Sequence, residues 1–178
     1  MNLSQLQTKQ AELDQYIIEE HNLQGQNLLK KKTVALLTEL YECVNEGRWF
    51  KFWSKNQQAN NKELINPGMT KQGHDPIYAN PLLEEYVDVT HFVLSIANDL
   101  NYKEHKYKDP KIYDLNDLVL GLSQLVSTIP YAKTLNIGLV FDYLIKLGYQ
   151  LGFDEKTVVD AYFEKNKENF ARQDSGVY

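Results

Sequence analysis

Pro81-Leu82-Leu83-Glu84-Glu85-Tyr86-Val87-Asp88-Val89-Thr90-His91-Phe92-Val93-Leu94-Ser95-Ile96 is the stretch that decides the fold class. At ~100° per residue, Leu82, Tyr86, Val89, Phe92, Val93, Ile96 and Leu100 share one arc of a helix, and Pro81 suits its first turn. Two carboxylates intrude on that apolar arc, Glu85 inside it and Asp88 at its margin. An ionised carboxylate on a buried face costs on the order of several kcal/mol unless it is paired or metal-bound. The helix therefore carries a chemical demand as well as an apolar face.

The helix before it repeats the pattern. Leu29, Thr33, Leu36, Leu40 and Cys43 form the stripe of a helix expected over Leu28–Glu46, with Glu39, Glu42 and Glu46 along its edge. In both Glu39-Leu40-Tyr41-Glu42 and Glu85-Tyr86-Val87-Asp88 the acids stand three apart, hence on one face. A solvated acidic face explains one such pair; acids at the same edge of two apolar stripes are harder to explain that way. Four converging carboxylates repel unless a cation sits among them. Mg²⁺, a hard ion that takes oxygen ligands and meets substrates through phosphate oxygens, suits the set. Glu46 reads either as a fifth acid, acting as base or support, or as a surface residue at a helix end.

Working outward, the remaining pattern is helical, with period near 3.6 and few alternating runs. Helices are expected over Ser4–Glu20, Leu28–Glu46, Pro81–Leu100, Asp114–Ser127, Tyr131–Leu151 and Asp154–Ala171, about six in all. Gly25 marks a turn, Gly47 a helix stop, and Asp154 after Gly152 an N-cap. An aromatic cluster, Trp49-Phe50-Lys51-Phe52-Trp53, precedes a polar connection from Lys55 to Asn80 that carries Pro67, Gly68, Gly73 and Pro76. Connections of that length inside a compact domain are usually functional or mobile. Asn101 to Pro110 is basic and loop-like.

Composition sets the bounds. At 178 residues the chain suits one all-α domain spanning 1–178. Hydrophobic residues make up 43% and aromatics 12%, enough for a sizeable core. A net charge of −5 argues against a nucleic-acid-binding surface. Lone Cys43 excludes an intrachain disulfide and a Cys-built zinc site, and fits a reducing cytoplasm. No apolar run reaches membrane-spanning length, and the polar start Met1-Asn2-Leu3-Ser4-Gln5 is not that of a signal peptide.

The last helix brings the opposite sign. Its stripe of Val158, Ala161 and Tyr162 continues by steps of three and four into Lys165, Asn169 and Arg172. Those donors suit phosphate oxygens, though cations near a helix C-terminus are also favourable in their own right. Gln10, followed by Leu13-Asp14, lies on the inner side of the first helix, where its amide reads either as an ordinary partly exposed side chain or as a group offering both donors and an acceptor to a pyrimidine edge. Trp53 and Phe50 suit base stacking or core capping. His91 reads as structural.

These motifs resemble the dimeric all-α dUTPases, relatives of the MazG-type all-α nucleoside triphosphate pyrophosphatases. The resemblance rests on Gln10…Leu13-Asp14, Glu39-Leu-Tyr-Glu42-Cys-Val-Asn45-Glu46 with Phe52-Trp53-Ser54, Glu85-Tyr-Val-Asp88 with His91-Phe92, and Tyr162-Phe-Glu-Lys165-Asn166-Lys-Glu-Asn169-Phe-Ala-Arg172-Gln173 with Gly176 and Tyr178. It covers nearly the whole chain, apart from the Lys55–Asn80 connection. It implies hydrolysis of dUTP, and of dUDP, in a homodimer that uses two or more Mg²⁺ ions per site. Glu39, Glu42, Glu85 and Asp88 would then be metal ligands, with Glu42 or Glu39 as the base. Gln10 and Trp53 would hold uracil and Phe92 would crowd the sugar. Lys165, Asn169 and Arg172 would hold phosphates, with Asn166 a weaker candidate. Two rivals stand beside this reading: a dCTP or broader MazG-like pyrophosphatase, and a non-catalytic helical partner-binding protein. A phage-encoded enzyme of this type would also be able to bind a regulatory protein.

Overall fold

A computed structural model describes residues 3–66, 77–103, 113–131 and 137–176. Among them the chain forms six helices: α1 Leu3–Glu20, α2 Leu29–Gly47, α3 Pro81–Asp99, α4 Leu115–Thr128, α5 Ile137–Gln150 and α6 Glu155–Ser175. The architecture is an all-α bundle, as the periodicity predicts. Pro67, Gly68, Gly73, Pro76, Pro110 and Tyr178, and most of the basic 101–110 stretch, lie outside the described residues.

The caps show why the helices begin where they do. Asn80 accepts a hydrogen bond from the Leu83 amide at 3.1 Å with Pro81 in the first turn, and Asp154 accepts from the Thr157 amide at 2.7 Å. Asp114 accepts from the Asn116 and Asp117 amides, starting α4. Gly47 is the last residue of α2, as expected of a helix stop, but the left-handed turn beyond it is taken by Arg48 at φ 60°. A Cβ on Gly47 would lie 1.9 Å from the Trp49 ring, so the missing side chain serves that packing. Leu100, placed on the apolar arc of α3, is instead exposed at the helix end.

The Lys55–Asn80 connection is less irregular than expected. Glu63–Asn66 and Ile77–Ala79 form strands β1 and β2, which pair antiparallel with Glu63 opposite Ala79 and Leu64 opposite Tyr78. Runs of three or four residues are too short to show a period, so the sequence pattern did not single them out. The base of this segment is tied to the helices: the Asn60 amide donates to the Glu46 carbonyl at 2.8 Å, and the Leu82 amide to the Asn60 carbonyl at 3.1 Å.

The central element is α3, whose Tyr86, Val87, Val89, Val93, Leu94, Ile96 and Ala97 are all buried. It packs most extensively on α2, and α1, α5 and α6 surround its other sides. Cross-helix pairs run in opposite order, Lys32 with Asp99 and Glu39 near Asp88, so α2 and α3 are antiparallel. Gly148 of α5 lets α3 approach closely, and Tyr86 Oη donates to the Leu144 carbonyl at 3.0 Å. Expected core positions Leu36, Leu40, Cys43 and Tyr162 are fully buried.

Candidate active site

The α2–α3 seam carries two facing strips. On α2, Lys32, Ala35, Glu39, Glu42 and Glu46 recur at steps of three and four; on α3, Glu85, Asp88, Phe92, Ser95 and Asp99 do the same. The acids gather at one end. Glu39, Glu85 and Asp88, each half-buried, offer carboxylate oxygens that all lie within 4.8 Å of one another. Glu42 stands exposed outside this trio, yet its charge bears on both Glu39 and Glu85.

The electrostatics are those of a crowded set of acids. Burial first, then Asp88 and Glu42, push the Glu39 carboxyl up to about 7. The Glu85 carboxyl is likewise pushed up to about 7 by burial, then by Asp88, Glu42, Glu39 and Glu84. Asp88 is raised by burial as well, with Lys165 opposing the rise. Carboxyls held this close cannot all ionise without a compensating cation. Hard oxygen donors on two antiparallel helices fit a divalent ion such as Mg²⁺.

One cation is already present. Lys165 of α6 is only 7% exposed, and its Nζ lies 2.6 Å from Glu84 and 2.9 Å from Asp88. Burial alone would lower its proton affinity; its bonds to Glu84 and Asp88 outweigh that and raise it. Arg172 is bonded to Glu168 on its own helix, though its charge still reaches Asp88. Asn169 is half-buried on α6 between them. Glu46 accepts from Asn60 Nδ2 at 2.6 Å, so this fifth acid is held by the segment that follows α2.

One turn beyond the acids, a cavity of about 260 Å³ has Ala35, Phe92, Ile18 and Leu28 among its walls and Asp14, Ser95, Lys31 and Lys32 as polar lining. Gln10, expected to present its amide to a ligand, is buried and committed inside the protein. Its Nε2 donates to Asp14 at 2.8 Å, and its Oε1 accepts from His91 Nδ1 at 2.7 Å and from Tyr162 Oη at 3.1 Å. Asp14 also accepts from Ser95 Oγ at 2.7 Å, with Lys32 at 3.7 Å. Asp14 therefore lines the cavity where Gln10 was expected to, and Gln10 lies behind it. The sequence held the signal for this: Asp14 follows Gln10 by one helical turn, and Ser95 follows Asp88 by two.

His91 is structural, as read, and stacks on Tyr162 with ring centroids 4.2 Å apart. Because Gln10 Oε1 only accepts, His91 Nδ1 carries the proton and Nε2 is a bare acceptor. Burial, then Lys165, hold the imidazole down at about 3, so it stays neutral. His91 Nε2 and Asn166 Nδ2 are buried without a hydrogen-bond partner among the described residues. Trp53 is not brought to Gln10: it is 66% exposed, and its ring contacts are with Phe50 and Phe52. Phe50 packs partly against the core.

The family model described as dUTPase matches residues 2–67 and 71–177. No curated protein matches the chain. With nearly its whole length matched, the chain belongs to the dimeric all-α dUTPase family and carries that family's dUTP diphosphatase activity.

Proposed function

We propose that this single-domain chain hydrolyses dUTP to dUMP and pyrophosphate, and dUDP to dUMP and phosphate, at the α2–α3 seam with Mg²⁺ held by Glu39, Glu42, Glu85 and Asp88. The observation that carries the reading is the convergence of Glu39, Glu85 and Asp88 oxygens within 4.8 Å, one helical turn along the seam from the Ala35 and Phe92 that line a cavity of about 260 Å³. Divalent ions bound there would withdraw charge from the phosphates and make a coordinated water more acidic.

The chain's own side chains do the rest. Glu42, the exposed acid at the edge of the trio, takes the proton of the attacking water, with Glu39 as the second candidate for that role. Lys165, with Asn169 and Arg172 further along α6, offsets charge that builds on the phosphates. The deoxynucleoside lies in the cavity with Phe92 against the sugar. Gln10 acts on the base by holding Asp14 in place. No covalent intermediate is needed, and Cys43 is not a nucleophile: it is buried, and burial, then Glu85 and Glu46, push its thiol up to about 12.

A homodimer fits the exposed apolar side chains Val34, Tyr41, Leu120 and Trp53, which a second copy would cover. No described helix is long and apolar enough to cross a membrane, consistent with a cytoplasmic enzyme. A panel of dUTP, dUDP and dCTP in the presence of Mg²⁺ tests the substrate assignment. Preferential turnover of dUTP and dUDP is expected; equal or better turnover of dCTP would move the assignment to a broader MazG-like enzyme.

A further inference from the structure

We propose that Lys165 is a built-in counter-cation that holds Asp88 in the nucleotide-free protein and must withdraw onto Glu84 before Asp88 can serve a divalent ion. The inference rests on the metal-binding reading above and adds a role for Glu84, a residue outside the converging acids.

The geometry shows one ammonium shared between two jobs. Lys165 Nζ is 2.9 Å from Asp88 Oδ2, one of the three acids that converge, and 2.6 Å from Glu84 Oε1, with Glu168 at 4.0 Å. Asp88 cannot give its oxygens fully to a lysine and to a divalent ion at once, and two cations that close repel. Glu84 stands one helical turn before Asp88 on the same side of α3, outside the trio whose oxygens converge, so the ammonium can shift from Asp88 to Glu84 along one face. Its side chain is half exposed, whereas that of Lys165 is 8% exposed, so an ammonium turned toward Glu84 regains water. The four-carbon stem of lysine and its three rotatable donors allow that short swing without moving α6.

Glu84 is then a positioning residue. It keeps the displaced ammonium beside the acids, where phosphate oxygens brought to the site would meet it. Metal loading and phosphate binding become positively coupled, because each is easier once Lys165 has left Asp88.

Mg²⁺ titrated calorimetrically into the nucleotide-free protein tests this without any turnover. Lys165→Met should bind Mg²⁺ on the order of tenfold more tightly than wild type. Glu84→Gln, which leaves the lysine only the more distant Glu168 besides Asp88, should bind it several-fold more weakly. In a Lys165→Met background the Glu84→Gln change should have no further effect, since it acts through the lysine. Lys167→Met, which removes the same charge from an exposed site on the same helix, should change nothing.

Unchanged or weaker Mg²⁺ binding by Lys165→Met overturns the proposal. So does equal tightening by Lys167→Met, or a Glu84→Gln effect of undiminished size in the double variant; each points to charge acting at a distance. Lys165→Gln, checked by its melting curve, serves if the methionine variant does not fold. If wild type and every variant bind no divalent ion, the metal-binding reading falls with the proposal. If only the pattern of tightening fails, that reading stands.

Discussion

Ser95 of α3 donates its hydroxyl to Asp14 of α1 at 2.7 Å, and both line the cavity beside Phe92. The same carboxylate takes the Gln10 amide, so Asp14 joins α1 to α3 and fixes the polar lining of the cavity. Replacing Asp14 with Ala leaves the Gln10 and Ser95 donors unpaired in a partly buried place. A loss of about 1–3 kcal/mol in unfolding free energy is expected by urea titration. KM for dUTP should rise more than kcat falls, because the residue lies at the nucleoside end; a pure kcat loss would remove Asp14 from substrate binding.

The stability of the metal-free protein should fall with rising pH. Glu39 and Glu85 are pushed from an ordinary value of 4.5 up to about 7. A carboxyl raised in this way favours the folded state only while protonated, so its contribution is complete below about pH 4.5 and is lost as pH climbs through about 7. Melting temperatures in EDTA should therefore decline from pH 5 to pH 8, and Mg²⁺ should restore the loss at pH 8. A flat profile in EDTA would contradict the crowding of these acids.

Glu85→Gln removes one of the repelling charges while keeping the side chain's shape. In EDTA at pH 8 the variant should melt at or above the wild-type temperature, and with Mg²⁺ it should lose on the order of 10²-fold in kcat for dUTP. The two measurements together separate a ligand from a structural acid: a lower melting point with activity retained would point to the latter.

Gly148→Ala tests the packing that positions α3. Its Cβ would stand 2.4 Å from Tyr86 Oη, whose hydrogen bond to the Leu144 carbonyl depends on that approach. Overpacking of this kind costs about 1–3 kcal/mol, readable as a lower denaturation midpoint. No loss of stability would show that Tyr86 has another place to go.

Much of this arrangement was legible in the sequence, for definable reasons. Helical periodicity placed Leu36, Leu40, Val89 and Ile96 in the core, and the same wheel showed Glu85 breaking an apolar arc. That anomaly announced the acids before any contact was known. What the sequence hid were relations across helices. A wheel gives the face on which Gln10 lies, but not that Asp14, His91 and Tyr162 would take its hydrogen bonds. Nor does it show that Lys165, read as a phosphate ligand, rests on Glu84 and Asp88. The short strands after Lys55 stayed hidden because their pairing joins residues far apart in a segment with no period of its own.

Pyrophosphate release from dUTP, followed with Mg²⁺ and again after chelation by EDTA, tests the central claim most directly. The account predicts one pyrophosphate per dUMP with Mg²⁺ and none above background in EDTA. Release that persists unchanged in EDTA, or no release with Mg²⁺, would contradict it.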